Sequence, residues 1–146
     1  MNNNSNNGKK IFPTIYKNIK GVNVNDNEVF TTQTLYQKKF FSLIKNGMFS
    51  AVNKPFGTAF GSRTSRPIFA GKTGTVQVRT ISENERELGI IPNKDLPFNQ
   101  RDHALFLGFA PYKNPKIAVS VVIEHGGSGS KIAAPIAKKI FKKALL

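Results

Sequence analysis

Ala70-Gly71-Lys72-Thr73-Gly74-Thr75-Val76-Gln77-Val78 sets a lysine, two threonines and two glycines at the head of an alternating apolar run. A period of two predicts a strand from about Ile68 to Arg79, with Val76 and Val78 on one face and Gln77 on the other. Gly71 and Gly74 carry no side chain, which lets another group lie close against the backbone.

Outward from that strand, Ser82 to Asn99 is charged and polar, contains Pro92 and Pro97, and reads as a long surface connection. Two short apolar strands follow, His103 to Tyr112 and Ile117 to Glu124, joined by the polar turn Pro111-Tyr112-Lys113-Asn114-Pro115 as a hairpin. A glycine-rich turn, Gly126 to Ser130, then leads into a helix over Ala133 to Leu145. Ile132, Ile136, Ile140, Phe141 and Leu145 give that helix an apolar face, and Pro135 fits its first turn. Upstream, Leu35, Phe40, Leu43, Ile44 and Met48 recur near helical spacing, which predicts a helix from Gln33 to Asn53. Thr31 or Thr32 would cap it, Gly47 weakens its second half, and Lys54 to Gly57 ends it. Thr58 to Pro67 reads as a loop. Ile11 to Ile19 is β-branched and extended, with Pro13 marking an edge or isolated strand, and Gly21 to Glu28 is a turn or loop. Residues 1–10 are polar and asparagine-rich and predict a disordered start, leaving 11–146 as the folded portion. The fold class is therefore α+β: an antiparallel sheet of at least three strands, an upstream helix and a C-terminal covering helix.

Composition narrows the chemistry. A chain of 146 residues holds a single core. The formal charge of +14 raises the prospect of a polyanionic partner. The excess is mostly scattered lysine, however, and Lys138, Lys139, Lys142 and Lys143 sit at the spacing of a solvated helix face, so no nucleic-acid partner is expected. Without cysteine there is no disulfide, thiolate metal site or cysteine nucleophile. No apolar run is long enough to span a membrane, and the N-terminus lacks the apolar core of a signal peptide. The strand, glycine-rich turn and helix around Lys131 do not make a phosphate loop, because Ser130 precedes the lysine where glycine is needed and Ile132 follows where a hydroxyl is needed. His103 and His125 end strands, and their neighbouring carboxylates form no metal-ligand spacing. No cofactor or metal is implied.

Lys72-Thr73-Gly74-Thr75 is the element that carries chemistry. On a strand, Lys-Thr-Gly accompanies a Ser-x-x-Lys nucleophile motif and a Ser-x-Asn motif in serine acyl-transfer sites. With Asn7 to Lys9, Asn53 to Ala59, Asp102 to Pro111 and Ala118 to Gly127, the run Ala70 to Val78 makes the chain resemble the C-terminal part of the transpeptidase domain of class B penicillin-binding proteins, the elongation-type penicillin-binding protein 2 group. The resemblance implies part of the penicillin-binding and serine β-lactamase-like fold. It also implies a role in peptidoglycan synthesis, the cell wall and cell shape. In that family a serine attacks a D-alanine carbonyl of a stem peptide and passes the acyl group to an amine, and β-lactams acylate the same serine. Lys72 and Thr75 then become the catalytic candidates, Lys72 through its positive potential and proton network and Thr75 through a backbone N–H in the oxyanion hole. Thr73, Gly74 and Thr75 become the substrate-binding candidates, the two hydroxyls holding the donor's carboxylate and Gly74 lying flat against the peptide.

The family order is Ser-x-x-Lys, then Ser-x-Asn, then Lys-Thr-Gly. Ser42-Leu43-Ile44-Lys45, Ser128-Gly129-Ser130-Lys131 and Ser5-Asn6-Asn7 match the serine motifs but fall within a helix, after the lysine motif, or in the ragged start. The expectation is a fragment carrying half a site, inactive alone and complemented by an upstream fragment of the same split protein, with stem peptide or β-lactam bound once complemented. An inert remnant or interaction piece is the alternative, with a basic nucleic-acid binder behind it. The family is membrane-anchored and periplasmic; with no leader of its own, this chain is expected in the cytoplasm unless exported with a partner. Because two strands from near the start of the domain pair alongside the last strand in the family's fold, the resemblance implies that Ile117 to Glu124 has an unpaired apolar edge here.

Overall fold

The computed structural model describes residues 18–19, 22–23 and 35–146, with side chains from residue 40 onward. The expected disordered start, most of the Ile11–Ile19 strand, the Thr31 or Thr32 cap and the Asn7–Lys9 match lie outside the described residues. The chain divides into two units, Met1–Gly47 and Met48–Leu146.

In the first unit, β1 (Asn18–Ile19) pairs antiparallel with β2 (Val22–Asn23), Ile19 opposite Val22. The sequence reading ran a loop through Val22 and Asn23. Only Lys20 and Gly21 stand between the two strands, and a two-residue connection with glycine is a hairpin signal that the short apolar content concealed.

Helix α1 (Leu35–Asn53) matches the predicted span and continues through Gly47. Met48 and Val52 near its end are buried, whereas Phe40, Leu43 and Ile44 are exposed. The last residue of α1 closes it: the Asn53 amide donates to the Phe49 carbonyl at 3.0 Å and to the Phe69 carbonyl at 2.9 Å. One side chain thus satisfies a carbonyl in the final helical turn and fixes the approach to the next strand.

The second unit is built on a three-stranded antiparallel sheet in the order β3 (Ala70–Val76), β4 (His103–Ala110), β5 (Ile117–Ile123). Lys72 lies opposite Leu107, Thr73 opposite Phe106 and Thr75 opposite Ala104. Phe106 in turn lies opposite Val121. Alternation gives the sheet two unlike faces. On one, Ala104, Phe106, Ala110 and Val121 join Phe69 and Val52 in the main core. Helix α3 (Ala134–Leu145) covers this face with Ala134, Ala137 and Phe141. The expected apolar face holds at Ile136, Phe141 and Leu145, which pack against the core, whereas Ile132 and Ile140 are exposed. Small residues at helical spacing also face the sheet, and the rings of Phe141, Phe69 and Phe106 fill the space, with centroids 5.0 Å apart for Phe69–Phe141 and 6.1 Å for Phe69–Phe106. Each such buried ring contributes about 1.5–3 kcal/mol. On the other face Ala70 and Phe109 pack with Met48, Phe49 and Tyr112 at one end, while Lys72, Leu107 and Val122 are exposed.

The connection from β3 to β4 is more ordered than its polarity suggested. Helix α2 (Glu83–Leu88) starts at Ser82, whose hydroxyl accepts the Glu85 backbone N–H, and single 3-10 turns occupy Asn93–Asp95 and Phe98–Gln100. Ser82-x-x-Glu85 is a capping-box spacing, legible but missed because no apolar run follows it. The glycine-rich turn enters α3 through one π-helical turn, Gly129–Ala133, with Ser128 as its cap.

Candidate active site

The lysine motif forms β3, an edge strand among the described residues, so alternate backbone groups of Ala70–Val76 point away from β4. The strand stops at Val76, short of the expected Arg79. There the Val78 N–H donates to Asp102 Oδ1 at 3.3 Å, and Asp102 also holds Asn93 through a reciprocal pair of hydrogen bonds at 2.7 and 2.9 Å. A side chain from the start of β4 thereby takes over where the ladder ends.

Four candidate residues share this edge, but their side chains do not share a face. Lys72 and Gly74 lie on the more open face; Thr73 and Thr75 lie on the face toward α3. Lys72 is exposed, and its ammonium donates to the Thr73 carbonyl at 2.5 Å. Thr73 is 9% exposed and pairs with the Thr58 hydroxyl at 2.9 Å. Thr75 is exposed, and its hydroxyl accepts the Gly129 N–H at 3.5 Å. Thr58 and Gly129 were not singled out by the sequence reading, since nothing local in either marks a contact with a strand distant in the chain.

The two glycines of the motif serve different contacts. A Cβ built on Gly71 would stand 2.2 Å from the Phe106 ring, so the close approach there is the protein's own core. Gly74 has more room: its Cβ would meet Leu105 at 3.3 Å. The tight contact at Gly74 involves its carbonyl, which would lie 2.2 Å from a Cβ on Gly129. The turn before α3 therefore rests on β3 only because position 129 has no side chain.

Electrostatics beside the strand end are set by one ion pair. Arg79 makes a two-pronged contact with Glu85, through Nη1 to Oε2 at 2.7 Å and Nη2 to Oε1, and the Ile91 N–H adds a bond at 3.1 Å. The guanidinium, then the backbone donor, hold the Glu85 carboxyl at about 2. The serines of the chance motifs have other environments. Ser42 is exposed within α1, and the Ser128 hydroxyl meets Ser130 at 3.0 Å and the Lys131 backbone N–H at 3.4 Å, a capping role. His125 Nδ1 bonds the Arg101 carbonyl at 3.0 Å, and His103 Nδ1 accepts the His125 N–H at 2.9 Å, so both rings are engaged with backbone.

The model of the penicillin binding protein transpeptidase domain matches residues 3–142. This chain belongs to that family. It is 38% identical over 144 residues to the peptidoglycan D,D-transpeptidase MrdA of Haemophilus influenzae, covering 92% of this chain and 21% of that protein. Its fold is similar to that of Pseudomonas aeruginosa PBP2 solved in complex with WCK 5153, at a TM-score of 0.74 and 34% identity, over 99% of this chain and 28% of that one. Helicobacter pylori PBP2, solved in complex with MreC, aligns at a TM-score of 0.66 and 32% identity, over 83% of this chain and 20% of that one. The chain spans 16–21% of the length of these MrdA relatives. Among the described residues no helix is long and apolar enough to cross a membrane, and no cluster of side chains is arranged to hold a metal ion.

Proposed function

We propose that this chain supplies the Lys-Thr-Gly-Thr strand of a peptidoglycan D,D-transpeptidase site, with the nucleophilic serine contributed by a segment outside it. The observation that carries the reading is the edge position of β3, with Lys72 and Thr75 exposed on a strand whose outer backbone groups no described strand takes up. A donor stem peptide, or a β-lactam in its place, would lie along this edge as an added strand. Gly74 would admit it closely, the Lys72 ammonium would supply positive potential and a proton relay to the serine, and the Thr75 hydroxyl would hold the donor carboxylate. The Thr75 N–H would be one oxyanion donor, worth about 3 kcal/mol in the transition state. Thr73 enters on a different footing: its hydroxyl would reach a carboxylate only by leaving or sharing Thr58, so its role in binding would run through that pair.

Acyl transfer on this scheme needs no metal, because the serine is activated by its own lysine and the charge on the tetrahedral intermediate is met by backbone N–H groups. Residues 11–146 would act as the C-terminal portion of a transpeptidase domain in the periplasm, with the serine-bearing portion seated on the edge of β5 that no described strand pairs. Co-expression with a polypeptide carrying the Ser-x-x-Lys and Ser-x-Asn motifs, followed by labelling with a fluorescent penicillin, tests it. Label on that serine that requires this chain supports the reading; absence of label with both chains soluble and associated overturns it.

A further inference from the structure

We infer that the cleft between the β3–β4 connection and the glycine-rich turn is a binding site for a phosphate-class anion, distinct from the Lys72–Thr75 edge. Its volume is about 500 Å³, and Lys94, Arg101, His125 and Lys131 line it, with Pro92 and Ile132 as its apolar part. No carboxylate lines it. Asp95, Asp102 and Glu124 each adjoin a lining residue in sequence without lining the cleft, and Asp102 directs Oδ2 to the Asn93 amide and Oδ1 to the Val78 N–H.

The donors are positioned. Arg101 gives Nε to the Leu96 carbonyl at 3.0 Å and Nη2 to the Lys94 carbonyl at 3.3 Å, which fixes the plane of the guanidinium and leaves Nη1 without a described partner. His125 is set by its own backbone, held at φ 56° with its N–H on His103. Because the Arg101 carbonyl can only accept, the nearby His125 Nδ1 must carry the proton, so Nε2, without a described partner, is an acceptor in the neutral ring and a donor to an anion only in the imidazolium. Gly127, at φ 78°, lets the turn curve around the cleft where a side chain would be strained.

Three cationic side chains line one cleft with no carboxylate in the lining, so an anion placed among them meets attraction from each and repulsion from none of the lining groups. A single carboxylate would match them poorly. A phosphate group carries about −1.5 to −2 charges and three strong acceptor oxygens, and the fixed guanidinium suits it bidentately. A soluble phosphate ester and a phospholipid headgroup offer the same chemistry.

Calorimetric titration of the full chain with inorganic pyrophosphate reads the site. Lys94→Ala/Lys131→Ala removes two exposed cations from the rim and should weaken binding about tenfold or more, as expected for lost charge-assisted bonds. Lys142→Ala/Lys143→Ala removes the same charge from α3 and should leave binding unchanged. Pelleting with phosphatidylglycerol vesicles separates the sources: pyrophosphate-sensitive pelleting that the Lys94/Lys131 variant loses assigns a headgroup, and pyrophosphate binding without pelleting assigns a soluble ester. The proposal falls if neither probe binds, if both double variants lose affinity equally, so that binding follows net charge alone, or if polyglutamate binds while pyrophosphate does not.

Discussion

The two edges of the same small sheet are built to different specifications. Between Ala70 and Val76, β3 is glycine, lysine and threonine, with a nearly buried hydroxyl at Thr73 and a neighbouring turn packed against Gly74. β5 is isoleucine, valine, alanine and serine, with Val121 buried beside Phe106 and Val122 exposed on the reverse face. A polar edge that keeps its backbone accessible suits a transient, hydrogen-bonding guest. An apolar edge suits permanent coverage and otherwise associates with whatever strand it meets. On the proposed function, one sheet would offer its β3 edge to a ligand and its β5 edge to more protein.

Phe106, on the central strand between the edges, is the place to break both at once. Phe106→Ala should cost about 3–5 kcal/mol in chemical denaturation, the range for deleting a fully buried ring. Gly71→Ala should cost about 1–3 kcal/mol from overpacking against that ring and the Leu107 carbonyl, which a Cβ would meet at 2.7 Å, and the double variant should cost less than the sum because the ring's share of the obstruction is gone. If the two costs simply add, the packing account of Gly71 is wrong. Thr73→Val keeps the β-branched shape but strips the bond to Thr58, for a loss of about 1 kcal/mol, whereas Thr75→Val should stay within about 0.5 kcal/mol. In the complemented enzyme the order should reverse, with Thr75→Val the more damaging to penicillin labelling.

At β5, Val122→Lys should leave stability within about 0.5 kcal/mol while reducing concentration-dependent light scattering, since charge on an edge strand opposes pairing between copies. Scattering unchanged from the parent chain would show that the edge does not drive association. The smallest expected effect concerns the connection leaving β3. The Glu85 carboxyl titrates at about 2 rather than the ordinary 4.5, so its contribution is fully present above about pH 4.5 and disappears as pH falls toward 2. The melting-temperature difference between the parent chain and Glu85→Gln should therefore be constant near neutrality and close at acid pH.

Much of the fold was legible because its signals are local. The alternation through Ala70–Val78, the hairpin turn at Pro111–Pro115 and the spacing of α1 each reside within one segment, and the lysine motif carried the family with it. What escaped was set by partners far away in sequence. Which side of α3 faces the sheet depends on the room left by Phe106 and Phe69, so Ala134 and Ala137 face inward beside Phe141 while Ile140 faces outward. That Thr73 is committed to Thr58, while Thr75 remains exposed, follows from how the loop after α1 folds back. The order in Ser82–Asn99 was written in a capping box and in Arg79–Glu85, but polar segments give no periodicity to reveal it. The cation cleft was hidden for the same reason: Lys94, Arg101 and Lys131 belong to three stretches that each read as surface.

The Asn53 amide, shared by the end of α1 and the approach to β3, makes that junction depend on two donor hydrogens rather than on shape. Hydrolysis of that amide to a carboxylate preserves its shape almost atom for atom, yet turns a group with two donors into one with none, aimed at two carbonyl oxygens. Asn53→Asp should therefore leave the outline of the molecule almost unchanged and be registered as the loosening of the strand that carries Lys72.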